Sequence, residues 1–167
     1  MCIETAAKLE GFVSGPVAGT LSARLAVAAE TGGGWQYHRD TGETLGDKDT
    51  KALRLRLNWR PSDQTDLDLN VHYSQDKSDG RGLRLITTPF TSGGGKVYPV
   101  DTAHRITGWG ISPYFAQLIG VSPNAKPFRD NEGKGVSLRL NQDLTWATLT
   151  AIASYETFDR NEFNDWD

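Results

Sequence analysis

The side chains best suited to proton transfer or metal ligation in this 167-residue chain are its three histidines, His38, His72 and His104. They fall in separate segments and no two have the spacing of a metal site. His72 holds a polar position in an alternating segment and the other two sit among turn residues, so solvated roles are expected. Asp66 and Asp68 come nearest to a carboxylate pair for acid–base work. They lie two residues apart on one face beside arginines, which suits fixed charge pairs better. The acid-rich end, YETFDRNEFNDWD, carries Glu156, Asp159, Glu162, Asp165 and Asp167 but lacks the ligand order of a calcium loop, and a solvated strand end describes it better. SGGGK, Ser92 to Lys96, fails as a phosphate loop: no serine or threonine follows the lysine, the first glycine is missing, and no strand and helix flank it. With no nucleophile–base pair, the chain is expected not to be an enzyme and to hold no cofactor.

One segment offers a ligand surface instead. RITGWGISPYFAQLIGVSP gathers Arg105, Trp109, Tyr114 and Phe115, and Ser112 to Ile119 is expected to form a short helix. Aromatic rings beside a guanidinium suit an anionic ligand met by a surface loop. The plainer expectation is that this apolar stretch packs its loop against the rest of the fold.

The totals narrow the class. A net charge of −3 gives no basic field for nucleic acid. Hydrophobic residues make up 37%, lean for a packed globule, while 18 glycines and five tryptophans suit turns and anchoring aromatics in a β-structure. The lone cysteine, Cys2, excludes an intramolecular disulfide framework. No stretch reaches the length of a transmembrane helix. MCIETAAKLEGF has an acid and a lysine where a signal peptide has its apolar core, so the chain is expected to carry no signal peptide and reads as a piece of something longer.

The elements that position these residues announce themselves by alternation. In KALRLRLNWRPSDQTDLDLNVHYSQD, Leu53, Leu55, Leu57 and Trp59 share one parity, with Arg54, Arg56, Asn58 and Arg60 on the other. After a Pro-Ser-Asp break, Leu67, Leu69, Val71 and Tyr73 alternate with Asp66, Asp68, Asn70 and His72. Period two on both sides of a polar break predicts a β-hairpin, and a five-residue turn would pair Arg60 with Asp66. The same pattern places Leu21, Leu25 and Val27 opposite Arg24, and Val136, Leu138 and Leu140 opposite Arg139. It also places Leu149 and Tyr155 opposite Thr150 and Ile152. Six strands are expected, near 7–14, 20–30, 50–60, 66–76, 134–142 and 147–159, as an all-β antiparallel meander spanning 1–167.

Short connections and long ones, 31–49 and 77–133, alternate along the chain. A meander then gathers short turns on one rim and long loops on the other, the layout of outer-membrane barrels. Trp59 and Trp146 sit beside short turns, and Tyr73 and Tyr155 at the far strand ends. Nine steps from Trp146 to Tyr155 span roughly 30 Å at about 3.3 Å per residue. Tilted by roughly 40°, they project to about 23 Å, near the ~25 Å apolar band between two aromatic girdles. The aliphatic face is therefore expected to meet lipid, and Arg24, Arg54, Arg56, Arg60, Asp66, Asp68, Asn70 and Arg139 to face a watery lumen. The alternative is a soluble antiparallel β-sheet binding module whose leucine face is a core.

EGFVSGPVAGTLSARLAV, TKALRLRLNWRPSDQTDLDLNVHYSQDKSDGRG and NEGKGVSLRLNQDLTWATLTAIASYETFDRNEFNDWD together resemble the early barrel of TonB-dependent outer-membrane receptors. The matching elements are the Ser14-Gly15-Pro16 turn, the Trp59-Arg60-Pro61-Ser62-Asp63 turn, and the Ala147-Thr148-Leu149-Thr150 opening of the last strand with Tyr155 after it. The resemblance implies one segment of a barrel of about 22 strands closed by a plug, with long extracellular loops. It further implies active uptake of scarce nutrients such as iron-siderophores, haem, cobalamin or oligosaccharides, energised through TonB. The implied partners are outer-membrane lipid, the remaining barrel, the plug, and TonB through an N-terminal part. Plug and TonB box have no counterpart in this sequence.

Overall fold

A computed structural model describes residues 6–82 and 103–164. Six long strands form one antiparallel meander: β1 (Ala6–Ala18), β2 (Leu21–Gly32), β5 (Lys48–Ser62), β6 (Thr65–Asp76), β8 (Phe128–Asp143) and β9 (Thr148–Phe163). They lie side by side in the order β1-β2-β5-β6-β8-β9. A smaller mixed sheet orders β4 (Thr44–Leu45), β3 (Gln36–His38) and β7 (Ile106–Thr107). The helix α1 spans Pro113–Ile119.

The strands run longer than the alternation alone marks. β1 continues through Pro16 to Ala18, where the register against β2 shifts between Pro16 and Ala18, a strand irregularity that accommodates proline. Pro61 lies inside β5 where the register shifts between Trp59 and Ser62, so only Asp63 and Gln64 separate β5 from β6. The other short turns use left-handed backbone at Gly19 (φ 36°) and Thr145 (φ 72°). β8 begins at Phe128, several residues before the expected 134.

The long connections are not structureless. The first carries β3 and β4, and the second carries β7 and α1, with the Ser112 hydroxyl accepting the Phe115 N–H and Gly120 closing the helix in left-handed conformation. Here lies the buried core: Leu45, Thr107, Trp109, Ala116 and Pro127. Gln36 joins it, its amide exchanging two hydrogen bonds of 3.1 Å with the backbone of Gly82. Among the described residues the large sheet has no such core. Its aliphatic residues stay open, Leu53 at 46% and Val136 at 39% exposure. The sheet is not closed into a barrel, and β1 and β9 are its edges.

Candidate functional site

Strand register fixes which side chains share a face, because successive residues point to opposite sides. One row across the sheet reads Val13, Leu25, Leu55, Val71, Val136 and Tyr155. The next, toward the short turns, reads Gly15, Ala23, Leu57, Leu69, Leu138 and Ala153. Beyond it come Leu21, Trp59, Leu67, Leu140 and Ala151, with Leu149 opposite Gln142. Val27 pairs with Leu53 one row the other way. Every position assigned by parity to the aliphatic face shares one face of one continuous sheet. Trp59 and Trp146 mark its short-turn end, Trp146 84% exposed. Tyr73 and Tyr155 stand one row apart toward the long connections, and the Tyr73 hydroxyl lies 3.2 Å from Glu132.

The opposite face is built from charge. Arg60 Nε donates to Asp66 at 3.0 Å, the pairing expected from the hairpin, although the turn is tighter and a bulge supplies the offset. The Asn58 amide bridges Asp66 (2.8 Å) and Asp68 (3.2 Å), and Arg56 approaches Asp68 at 3.8 Å. Both aspartates are thus held as acceptors. Arg24 faces Arg56 directly across β2 and β5, Arg54 faces His72, Asn70 faces Arg56, and Arg139 faces Asp68. Arg24 lies over the Phe12 ring, 4.1 Å from its centroid, and Arg139 donates to Asn141 at 3.3 Å. Three large apolar side chains share this face: Phe12, Ile152 and Phe158. Phe158 covers backbone left bare by Gly133, its ring 3.4 Å from where a Cβ would stand.

The histidines are not brought together. His38 Nδ1 accepts the N–H groups of Asp40 and Thr41 at 3.2 Å, which leaves Nε2 to donate to the Trp109 carbonyl at 3.0 Å. It is a structural clamp of the connection. His72 reaches Glu156, and His104 is exposed in a turn. Among the described residues no group of His, Cys, Asp and Glu could hold a metal ion. At the acidic end, Glu162 accepts from Asn131 at 2.6 Å and pairs with Arg160. These hydrogen bonds, Arg160 first, hold its carboxyl below the ordinary carboxylate range. Asp165, Asp167, Cys2 and the SGGGK stretch lie outside the described residues.

Of the four residues singled out as a loop ligand surface, Trp109 is 7% exposed and packs edge-on against His38. Arg105 is half-buried, and its carbonyl accepts the Tyr37 N–H at 2.7 Å. Tyr114 and Phe115 on α1 are exposed. The structure therefore splits the set between core and surface. Sequence reading passed over Asp79, whose carboxylate accepts the N–H groups of Gly46 (3.1 Å) and Asp47 (3.0 Å) and meets Lys126 at 2.7 Å. It ties both long connections together. Its only signal was the Ser-Asp-Gly turn composition.

No family model, curated protein or solved structure matches the chain.

Proposed function

We propose that this chain is an early β-barrel segment of a TonB-dependent outer-membrane receptor, and that nutrient uptake belongs to the whole receptor. The observation that carries the reading is the aliphatic face, continuous over six paired strands and covered by no layer among the described residues. A soluble sheet would bury such a face, whereas a membrane strand turns it to hydrocarbon and its polar face to water. Strands of 12 to 16 residues exceed the ~9–11 needed to cross a bilayer. The surplus at the long-connection end would stand clear of the membrane with the cap of β3, β4, β7 and α1.

The edges agree with this reading. Unpaired backbone groups along β1 and β9 would cost several kcal/mol each in lipid, so the proposed setting has further strands beside both. In such a receptor the polar face lines the lumen that the plug fills, Trp59 and Trp146 lie at one interface, Tyr73 lies toward the other with Tyr155 one row inward of it, and TonB acts through parts other than these strands.

The test is depth-resolved quenching of tryptophan fluorescence by brominated lipids, in single-tryptophan variants of a complete barrel that carries this segment, refolded into vesicles. Trp59 and Trp146 should be quenched by label near the headgroups, and Trp109 in the cap should not. A monodisperse chain that melts cooperatively in buffer and ignores vesicles would instead establish the soluble binding module.

A further inference from the structure

The polar face holds three guanidinium groups, of Arg24, Arg54 and Arg139, with no carboxylate ion-paired to them among the described residues. Arg24 and Arg56 are directly opposite in register, a like-charge arrangement that destabilises a sheet on its own. Arg54 follows Arg56 on the same face of β5, and Arg139 stands two strands away beside Asp68. Asp68, at 3.8 Å from Arg56, is the one carboxylate ion-paired to any of these four among the described residues. The others rest on neutral groups: Arg24 on the Phe12 ring and Arg139 on Asn141, while Arg54 has no polar partner there. Arginine stays charged at every physiological pH and presents a planar fork that matches a carboxylate. The contrast with Arg60, satisfied by Asp66, is local to the same strand.

We propose that Arg24, Arg54, Arg56 and Arg139 form a docking surface for an extended acidic polypeptide segment laid across the polar face. Its shape favours a chain over a single small ion. Two open grooves flank Arg56, one of about 440 Å³ beside Ser14, Ser22 and Arg24, and one of about 420 Å³ beside Arg54, Asn70 and Arg139. Their hydroxyls and amides can hydrogen-bond a peptide backbone while the guanidiniums take its carboxylates. The polar face is turned away from hydrocarbon in a membrane sheet and away from the core in a soluble one, so the inference does not depend on what covers the leucines.

The test is fluorescence anisotropy of a labelled oligoglutamate titrated with the full chain, in detergent micelles or in buffer according to where it folds. Oligoglutamate should bind, and Arg54→Gln with Arg56→Gln should weaken it by about tenfold or more, since each removes a charge-assisted hydrogen bond. Arg54→Lys, which keeps the charge and loses the fork, should fall between. Arg60→Gln, at an arginine already paired, should leave affinity within about twofold of the parent. Equal weakening by Arg54→Gln and Arg60→Gln would overturn the proposal as diffuse attraction. Displacement by inorganic phosphate as effective, charge for charge, as by unlabelled oligoglutamate would overturn it in favour of a small-anion site.

Discussion

The imidazole Nε2 of His72 on β6 lies 3.0 Å from a carboxylate oxygen of Glu156 on β9, although β8 runs between the two strands. The residue between them in register is Gly135. A Cβ there would run into the Glu156 carboxylate. A missing side chain on the middle strand lets two outer ones meet.

Gly135→Ala should therefore push Glu156 aside and break the contact. Glu156 is flexible and 57% exposed, so the loss should stay under about 1 kcal/mol. Denaturant melts of Gly135→Ala, His72→Ala and the double variant check this. If the glycine acts through the pair, the double variant is no less stable than His72→Ala; additive losses would show another role.

Leu55→Arg and Val71→Arg put a charge in the middle row of the aliphatic face. Each should cost about 2–4 kcal/mol at mid-bilayer depth and abolish insertion of a complete barrel carrying this segment. Arg56→Leu, on the other face, should insert normally. Gel-shift folding assays in liposomes read the difference, and reversed outcomes would mean that the faces are misassigned.

Asp79→Ala removes the acceptor of two backbone N–H groups and the partner of Lys126. Orphaning those groups should loosen the cap by about 1–3 kcal/mol. Hydrogen exchange should speed up at Gly46 and Asp47 and stay unchanged at Leu57 and Leu69 in the sheet.

Glu162 sets a pH dependence at the end of β9. Its carboxyl titrates below the ordinary value of 4.5, so its stabilisation is complete above that pH and lost as pH falls through the lower folded value. Backbone carbon shifts of Asn131 and Glu162 should move toward coil values as acidification passes through the folded value, below 4.5. Glu162→Gln should remove that transition, and its persistence would assign it to another acid.

The six strands were legible because alternation is a local signal: Leu53 to Trp59 and Leu67 to Tyr73 declare their faces without any partner. Their ends were less so, since Pro16 and Pro61 look like breaks until a register shift beside each explains them. Strands of two or three residues, such as Thr44–Leu45 and Ile106–Thr107, carry no period at all. The burial of Trp109 depends on His38, 71 residues away, a distance no spacing rule crosses. Of the candidate surfaces, the charge on the polar face could be read from the sequence. That Arg60 is satisfied and Arg54 is not required the register.

Each strand of the large sheet is hydrogen-bonded to its neighbours in the meander, so the connections at the capped end set no strand order, although they pack on one another through Asp79 and the β3–β7 pairing. Doubling the length of such a loop costs about 0.6 kcal/mol in closure entropy, while the two-residue turn at Asp63 and Gln64 has no slack to give. Insertions at exposed positions of the capped rim should therefore leave the order of the large sheet intact, while the other rim stays fixed. Descendants of this chain would be expected to diverge in what they touch long before they diverge in how they fold.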